Sequence, residues 1–285
     1  MSRIAYVNGR YLRHAEAAIH IEDRGYQFAD GVYEVCGVRG GLLMDERLHL
    51  ERLERSLGEL RIALPVPLTA LRFILREVIR RNRLWDGMVY FQITRGVAPR
   101  DHPFPPASVR PALTVTAKRL NMARVAAAVE KGVAVITMPD IRWARRDIKS
   151  VALLPNILAK QQAREAGAYE AWLVDDAGYI TEGSSTNAWI VDREGRLVTR
   201  PAGPEILNGV TRKVLLAAAR QEGIEVVERA FTPQEAKSAR EAFISASSAI
   251  LIPVTAIDGQ SIGNGAPGSL SMRLREAYMK VCELS

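Results

Sequence analysis

The sequence is poor in the residues that build disulfide frameworks and metal sites. It has only two cysteines, Cys36 and Cys282, and four histidines in 285 residues. The cysteines lie towards opposite ends of the chain, and no two histidines have an HxH or HExxH spacing. This composition argues against a disulfide-stapled fold and predicts no dedicated metal site. Its simplest interpretation is a reduced, cytoplasmic protein.

Long apolar runs are also missing. The longest stretch without a charged residue, 242–257, is interrupted by serines and by Pro253. A membrane-spanning helix needs about 20 predominantly apolar residues. We therefore interpret this stretch as a buried strand and loop, and we expect no membrane partner. The first residues contain no apolar segment of the kind found in a signal peptide.

No block of like charge accompanies the net charge of +7. Acidic and basic residues alternate along the chain, as in 46–55, and the few aromatic residues are not interleaved with arginine. A nucleic-acid surface needs clustered cations or stacking platforms. The pattern favours solvated helix faces and predicts no nucleic-acid partner. A basic nucleic-acid-binding or scaffold protein is the weak alternative from another functional class.

The remaining composition is that of an ordinary globular protein, with 48% hydrophobic and 25% charged residues. A chain of this length can form one large domain or two modest ones. We place a domain boundary near 119–124, after the last predicted strand of the first half, which separates a first domain, 1–119, from a second, 120–285. Neither GxGxxG nor GxxxxGK[ST] is present, so a dinucleotide fold or a P-loop has no local support.

Hydrophobic periodicity predicts a mixture of helices and strands. An Asn8-Gly9 turn predicts a β-hairpin at the beginning of the chain. The predicted helices lie at 47–60, 69–84 (with Thr69 as N-cap), 155–166, 211–222 and 267–283. The predicted strands lie at 31–38, 88–94, 112–117, 132–137, 171–174, 187–191, 197–199, 224–227 and 242–248.

Lys149 is the first candidate for chemistry. It follows Arg145-Arg146-Asp147-Ile148 and precedes the apolar run 151–154. Neighbouring cations and partial burial favour the neutral amine that imine chemistry requires. An ordinary surface lysine is the commoner interpretation of such a stretch.

Glu182 lies in the segment 179–187, which is rich in small hydroxyl residues. A carboxylate beside a cofactor ring nitrogen would keep that ring protonated, so that it can accept electrons. An ordinary β-turn explains the same residues equally simply.

The segment 207–212 places Gly209 just before a predicted helix that contains Thr211. The unpaired N–H groups at such a helix start can bind phosphate. Capping of the helix by Asn208 or Thr211 is the alternative. A second hydroxyl cluster, 245–248, ends a predicted strand and is also compatible with a plain turn.

A Pro-rich loop, 97–111, carries Arg100 and His102. A guanidinium binds a carboxylate through two parallel hydrogen bonds, so this loop is a candidate carboxylate trap. Solvated loop residues are the alternative.

Taken together, these motifs resemble the fold type IV pyridoxal 5′-phosphate (PLP) enzymes, and most closely the D-amino acid aminotransferases. The resemblance covers nearly the full chain. It rests on five segments in the family's order: 22–35, 90–96, 140–150, 181–187 and 206–212.

The resemblance implies a fold of the α+β or α/β class with two domains. The first, 1–119, would be a small α/β domain, and the second, 120–285, a larger pseudo-barrel domain that binds the cofactor. It also implies a homodimer with its active sites near the subunit interface.

The family's cofactor residues match positions of this sequence. Lys149 matches the Schiff-base lysine, which also moves a proton between the substrate Cα and the cofactor C4′. Glu182 matches the carboxylate paired with the pyridine nitrogen, Arg52 matches the phosphate-binding arginine, and Leu207 matches the residue packed against the ring.

The rest of the phosphate cup matches Val210, Thr211 and Ser247. Ala246 stands where close relatives have a hydroxyl residue, which would shift phosphate binding towards Ser247 and Ser248. Ile250 replaces a common glutamate.

The family's substrate-binding residues also match positions of this sequence. Tyr33, Arg100 and His102 match the residues that hold the α-carboxylate in D-specific members, and Val35 falls at a pocket-lining position. Whether Arg100 and His102 act in their own subunit or across the dimer is left open.

The implied reaction is a ping-pong transamination through pyridoxamine phosphate. It would transfer the amino group of a D-amino acid, of the D-alanine or D-glutamate class, to a 2-oxo acid such as 2-oxoglutarate or pyruvate. Alternatives of the same fold are a branched-chain L-amino acid aminotransferase, an (R)-amine transaminase and an aminodeoxychorismate lyase. The Tyr33, Arg100 and His102 set favours the D-amino acid.

Overall fold

A computed structural model describes residues 3–285, which form two compact units. The first unit contains the chain up to Leu120 together with Ile148–Ala152 and Glu283–Ser285. The second contains Asn121–Asp147 and Leu153–Cys282. Both units mix helices with sheet, which confirms the predicted fold class. The division into domains at residues 119 and 120 stays a proposal.

The first unit is built on an antiparallel sheet with the strand order β2-β1-β6-β5-β3-β4. Its strands are β1 (Ile4–Val7), β2 (Arg10–Arg13), β3 (Gly31–Arg39), β4 (Leu42–Leu43), β5 (Gly87–Thr94) and β6 (Ala112–Arg119). Its helices are a short 3-10 helix (His14–Glu16), α1 (Arg24–Phe28), α2 (Glu46–Leu60) and α3 (Leu68–Asn82).

Local sequence explains much of this unit. Asn8 and Gly9 both have positive φ, of 44° and 96°, as the two-residue turn between β1 and β2 requires. In α2, Leu50, Leu53 and Leu57 recur at helical spacing and are buried in the core. The predicted start of α3 is wrong: Pro67 occupies the N-cap position, and Thr69 lies inside the helix.

Strand β3 divides its side chains between two faces. Val32, Glu34 and Cys36 are buried, whereas Tyr33 and Val35 are half-buried. The two-residue period of a strand therefore places a carboxylate among core side chains and sends the intervening residues to the opposite face.

A distant segment of the chain completes the edge of β3. The backbone N–H of Tyr33 donates to the Lys149 carbonyl at 3.0 Å, and the N–H of Val151 donates to the Gly31 carbonyl at 3.0 Å. Val32 and Ser150 form an antiparallel bridge between them. Backbone hydrogen bonds thus hold Lys149 at the edge of β3.

The second unit contains a larger mixed sheet of order β12-β11-β10-β13-β14-β7-β8-β9, with β15 paired to β14. Its strands are β7 (Val133–Pro139), β8 (Glu170–Val174), β9 (Ile180–Gly183), β10 (Asn187–Val191), β11 (Leu197–Thr199), β12 (Val226–Glu228), β13 (Glu241–Ala246), β14 (Ile250–Ile257) and β15 (Gln260–Ser261). Its helices are α4 (Met122–Lys131), α5 (Leu154–Glu165), α6 (Val210–Gln221), α7 (Pro233–Lys237) and α8 (Ser269–Val281).

Two elements of this unit differ from expectation. Helix α4 begins where we placed a domain boundary, and Asn121 caps it by accepting from the Arg124 N–H at 3.0 Å. The uncharged stretch 242–257 forms a hairpin of two strands, β13 and β14, rather than one strand and a loop. Both strands of the hairpin contribute buried side chains to the core.

Among the helices of residues 3–285, none combines the length and apolar character that a membrane crossing demands. The same residues contain no group of three or more His, Cys, Asp or Glu side chains that could hold a metal ion.

Candidate active site

Lys149 lies half-buried on the segment that pairs with β3. Its backbone N–H approaches the Ser56 hydroxyl of α2 at 3.4 Å, and its carbonyl accepts from Tyr33. The Nζ atom lies 4.3 Å from the centre of the Tyr33 ring. Within the described part of the chain, no carboxylate forms an ion pair with this Nζ. The result is a fixed lysine whose amine contacts an aromatic ring.

The face of β3 that carries Tyr33 is lined by polar aromatic groups. The Tyr33 ring stacks on Tyr90 at 5.5 Å, and the Tyr90 hydroxyl donates to Gln92 Oε1 at 2.5 Å. Val35 lies opposite Tyr90 in the strand register. Burial, together with the nearby Tyr33, raises the pKa of Tyr90 to about 12. Tyr90 therefore remains a neutral hydrogen-bond donor at physiological pH.

Arg52 of α2 belongs to a buried ionic cluster with Glu34 of β3. Arg52 donates through Nε and Nη2 to the two Glu34 oxygens, each at 2.8 Å. His49 Nδ1 lies 2.7 Å from Glu34 Oε2. Burial alone would raise the pKa of Glu34, but the charge and hydrogen bonds of Arg52, with the hydrogen bond of His49, hold it well below its ordinary value. The guanidinium is fixed by a carboxylate that stays ionised.

His49 itself is neutral in this cluster. Burial lowers its pKa, although the hydrogen bond with Glu34 opposes that change. A neutral imidazole next to an ionised carboxylate carries its proton on Nδ1 and donates it to Glu34. The cluster therefore contains one negative and one positive charge.

In the second unit, Glu182 is buried on β9 and held from three directions. Its Oε1 accepts from Arg142 Nη1 at 2.5 Å, and its Oε2 accepts from Asn187 Nδ2 at 3.0 Å. The backbone N–H of Leu207 approaches both oxygens at 3.1 Å. Arg142 directs its other two nitrogens to Asp140, at 2.9 and 2.7 Å. One arginine is thus shared by two carboxylates.

This sharing leaves the charge of Glu182 poorly balanced. Burial raises the pKa of Glu182, and the opposing charge and hydrogen bond of Arg142 do not cancel that rise. An additional cation near Glu182 would lower the free energy of its charged form.

The hydroxyl residues that follow Glu182 serve the turn itself. Ser184, Ser185 and Thr186 all contact the carboxylate of the buried Glu170, Ser185 at 2.8 Å and Thr186 at 3.4 Å. They fix the connection from β9 to β10 and so position Glu182. The ordinary-turn interpretation is correct for these three hydroxyls.

Helix α6 begins without a side-chain cap. Gly209 occupies the N-cap position, so the N-cap residue has no side chain that could cap the helix. A Cβ atom at Gly209 would collide with the Asn187 side chain. Val210 and Thr211 are buried in the first turn. A helix start of this kind presents N–H groups suited to an anion.

The second hydroxyl cluster forms the turn between β13 and β14. Ala246 pairs with Ile250, so Ser247 and Ser248 lie in the connection, where both are half-buried. Ile250 has a φ of +66°, in the left-handed region that β-branched residues rarely adopt. The turn that presents these serines is therefore strained.

Arg100 and His102 are exposed on the 97–111 loop of the first unit and lie close together. The Arg100 guanidinium carbon is 5.0 Å from the Phe28 ring centre, and the His102 ring is 5.6 Å from it. In residues 3–285, no hydrogen bond, ion pair or ring contact joins either residue to Tyr33 or Lys149.

Each functional group of PLP has a suitable partner among these residues. An aldehyde needs an amine, which Lys149 has. A phosphate needs cations or unpaired N–H groups: the first unit has a cation in Arg52, and the second unit has the N–H groups at the start of α6. A protonated pyridine nitrogen needs a buried carboxylate with unbalanced charge, and Glu182 is one.

Sequence reasoning did not identify the residues that support these groups. Glu34 had a detectable signal, because it falls on the buried face of an alternating strand and a buried charge needs a partner. That partner, Arg52, and the second contact, His49, lie on another element. Asp140 and Arg142 belong to one of the matched sequence segments, but no spacing rule links them to Glu182.

The chain matches the family model described as amino-transferase class IV over residues 31–257. It is 42% identical to the D-alanine aminotransferase of Bacillus licheniformis over 270 residues, which covers 95% of this chain and 94% of that protein. It is 38% identical to the D-alanine aminotransferase of Staphylococcus haemolyticus, covering 98% of this chain and 97% of that protein.

Solved structures with the same fold include branched-chain amino acid aminotransferases. The enzyme from Escherichia coli superposes with a TM-score of 0.88 at 25% identity, covering 99% of this chain and 94% of that one. The enzyme from T.th., solved with pyridoxamine 5′-phosphate, superposes with a TM-score of 0.88 at 26% identity, covering 98% of this chain and 94% of that one.

Proposed function

This chain belongs to the class IV aminotransferases, and on that premise we propose that its substrates are a D-amino acid and a 2-oxo acid. The donor is of the D-alanine or D-glutamate class, and the acceptor resembles 2-oxoglutarate or pyruvate. The cofactor is PLP. Identity of 42% and 38% with D-alanine aminotransferases supports the D-amino acid. The branched-chain enzymes share 25% and 26%.

The observation that carries the proposal is the Lys149 amine. It is half-buried, is held by backbone hydrogen bonds to β3, and lies 4.3 Å from the Tyr33 ring centre. A lysine in this setting can act as a nucleophile towards a carbonyl and, once released, as a base.

When bound, PLP supplies an electron sink for the negative charge that develops at the substrate Cα. Lys149 would hold the cofactor through its amine and, once the substrate amine has displaced it, would move the proton between Cα and C4′. Because its backbone is fixed by Tyr33 and Ser56, Lys149 presents its amine from one direction. Fixed orientation of this kind contributes much of the rate of such a step.

We assign the remaining cofactor contacts as follows. Arg52 binds the phosphate as a guanidinium already oriented by Glu34. The first turn of α6, with Val210 and Thr211, completes the phosphate site together with Ser247 and Ser248. Glu182 pairs with the protonated ring nitrogen, which adds the cation that its carboxylate lacks. Leu207, which fixes Glu182 through its backbone N–H, would contact the ring.

Substrate recognition is assigned to Tyr33, Val35, Arg100 and His102. The two loop residues are exposed cationic or hydrogen-bonding groups that lie together on Phe28. They bind the α-carboxylate that the amino donor and the oxo acid have in common. Val35 lies beside Tyr33 on the face of β3 that carries the amine, and it limits the size of the side chain accepted.

We also propose a cytoplasmic homodimer. Helix α5 exposes Leu154, Ile157 and Leu158 by 66%, 59% and 54% at helical spacing, a face suited to a second copy of the chain. Cys36 and Cys282 form no disulfide, which fits a reducing compartment. Sedimentation should give twice the mass of the chain.

The proposal is tested by half-reactions followed by absorbance. The holoenzyme should absorb near ~410–420 nm and shift towards ~330 nm when an amino donor is added. D-alanine and D-glutamate should produce the shift, whereas L-leucine and an (R)-amine should not. Equal or faster reaction of L-leucine would overturn the D assignment.

Lys149→Ala tests the assignment of the lysine. It should abolish the donor-induced shift and lower turnover by at least about 100-fold, since proton transfer by a positioned group contributes this much or more. Lys118→Ala, on the exposed end of β6, is the matched control and should behave as wild type. Retained turnover in the Lys149 variant would show that another lysine holds the cofactor.

A further inference from the structure

The 97–111 loop has little structure of its own to hold Arg100 and His102. It connects β5 to β6 without a helix or strand, and Arg100, Asp101 and His102 are all exposed. Exposed loops of this kind fluctuate unless other elements restrain them. Two side chains that must close on one carboxylate need a defined backbone beneath them. Some other part of the first unit must therefore restrain this loop.

Arg24 contacts the loop where the two side chains originate. It is the first residue of α1 and is only 4% exposed. Its Nη1 donates to the Asp101 carbonyl at 2.5 Å, and its Nη2 donates to the His102 carbonyl at 3.3 Å. Its Nε is held by Asp30 at 2.9 Å. A single buried guanidinium thus connects an anchored carboxylate to two successive carbonyls of the loop.

Helix α1 supports the same loop with an aromatic ring. Phe28, four residues after Arg24, has the Arg24 guanidinium carbon 4.8 Å from its ring centre and that of Arg100 5.0 Å from it. The His102 ring also contacts Phe28. Cations over aromatic rings are attracted to the ring face. Helix α1 therefore restrains the loop backbone through Arg24 and its side chains through Phe28.

The helix is itself anchored to the sheet. The backbone N–H of Arg24 donates to the Gly96 carbonyl at 2.9 Å, immediately after β5. The Asp23 side chain accepts from the Gly25 N–H and from the Thr94 hydroxyl, both at 2.8 Å. The restraint on the loop is therefore transmitted from a rigid strand.

We propose that Arg24 is a positioning residue for recognition of the substrate α-carboxylate. It fixes the carbonyls of Asp101 and His102 and thereby orients Arg100 and His102 before the substrate binds. This inference rests on the proposed role of those two residues. Both substrates carry the same carboxylate, so Arg24 affects the binding of the amino donor and of the oxo acid alike. The proton transfers of Lys149 do not depend on it.

Arg24→Gln in the holoenzyme tests the proposal. The KM values for D-alanine and for 2-oxoglutarate should each rise by about tenfold, because two loop carbonyls lose a charged donor. The kcat value should stay within about twofold, since the proton-transfer groups are untouched. Arg24→Lys keeps a cation for Asp30 but cannot span both carbonyls, so its KM values should lie between those of wild type and Arg24→Gln.

Arg76→Gln is the matched control. Arg76 also makes a two-pronged contact with a buried carboxylate of the first unit, Glu46, at 3.1 and 2.8 Å. It does not contact the loop. Its loss should leave both KM values unchanged, whatever it does to thermal stability.

Arg100→Ala, measured in parallel, separates this inference from the proposed function. If Arg100→Ala leaves both KM values unchanged, the carboxylate trap is wrong and the role of Arg24 is overturned with it. If Arg100→Ala raises them but Arg24→Gln does not, only the role of Arg24 is overturned. A fall in kcat or in cofactor retention at unchanged KM would show that Arg24 is merely structural. If Arg24→Gln does not fold, the KM values of Arg24→Lys decide: wild-type values overturn the proposal.

Discussion

Each unit of this protein buries a carboxylate against an arginine, yet the pKa values of the two carboxylates change in opposite directions. In the first unit, Glu34 receives two nitrogens of Arg52 and the Nδ1 of His49, and its pKa is lowered. In the second, Glu182 receives a single nitrogen of Arg142, and its pKa is raised. Glu34 obtains Arg52 and His49 as partners, whereas Glu182 shares Arg142 with Asp140, whose negative charge raises the pKa of Glu182 further.

The two carboxylate clusters therefore differ in whether their charge is balanced before a ligand binds. The Glu34 cluster is balanced by the protein alone, so Arg52 is oriented whether or not a phosphate is present. The Glu182 cluster is not balanced, because Asp140 takes the other two nitrogens of Arg142. Uncompensated charge in a buried site is typical of positions that bind or react. The second unit also contains the strained backbone at Ile250, and backbone strain is likewise typical of functional positions.

The largest expected effect comes from Glu34→Gln. This change leaves Arg52 buried without its negative partner, and breaking a buried pair costs about 3–5 kcal/mol. The free energy of unfolding of the cofactor-free protein should fall by this amount, measured by urea denaturation. The affinity for PLP should fall as well, because Arg52 loses its orientation.

Glu77→Gln is the control for that experiment. Glu77 is also paired with arginine, in this case with both Arg80 and Arg81, but on the surface of α3. Surface pairs contribute little to stability. Equal losses in the two variants would mean that burial is not what distinguishes the Glu34 cluster.

Glu182→Gln should affect activity and leave stability intact. The kcat value should fall by about 100-fold, the usual loss when a preorganised charge is removed from a reacting centre. The free energy of unfolding of the cofactor-free protein should be unchanged or higher, because Arg142 keeps both contacts with Asp140. A loss of stability as large as that of Glu34→Gln would show that the two carboxylates do not differ in their contribution to stability.

The pH dependence of stability should also distinguish the two carboxylates. The pKa of Glu182 is raised, so its contribution to stability is complete below the reference pKa of 4.5 and is lost as the pH rises through the folded value. The advantage of Glu182→Gln over wild type should therefore grow above pH 4.5. The pKa of Glu34 is lowered, so its contribution is present above 4.5 and disappears as the pH falls below it. The penalty of Glu34→Gln should shrink in that acidic range. Urea denaturation across a pH series measures both trends.

The smallest expected effect is a gain in stability at Ile250. Asparagine tolerates the left-handed region, so Ile250→Asn should raise the free energy of unfolding by about 0.5–1 kcal/mol. Ile250→Val keeps the branched Cβ and should give no gain. Urea denaturation of both variants measures the difference. If asparagine is no better than valine, the backbone of this turn is not a source of strain.

Local sequence signals predicted the parts of the fold that depend on near neighbours. The Asn8-Gly9 hairpin is confirmed because its turn chemistry is contained in two residues. Helix α2 is confirmed because its leucines follow one face. Helix α4 was missed because its cap, Asn121, and its first residues lie inside the expected boundary between the two domains.

The site was less accessible to such signals, because its contacts join distant positions. Nothing near Lys149 indicates that its backbone pairs with β3, more than a hundred residues earlier. The family resemblance supplied the roles of Lys149, Glu182 and Arg52. It did not supply Glu34 or Arg24, whose partners become visible only in three dimensions.

The pairing of segment 148–152 with β3 also has a consequence for the order in which the chain folds. During synthesis, the strands of the first unit are made well before the segment that completes the edge of β3. Until that segment docks, β3 keeps open backbone groups that can pair with another chain. A fragment ending at residue 119 should consequently aggregate more readily than the full chain. The same docking step brings Lys149 to Tyr33. The nascent enzyme therefore has its reactive amine in place only after this segment has paired with the edge of β3.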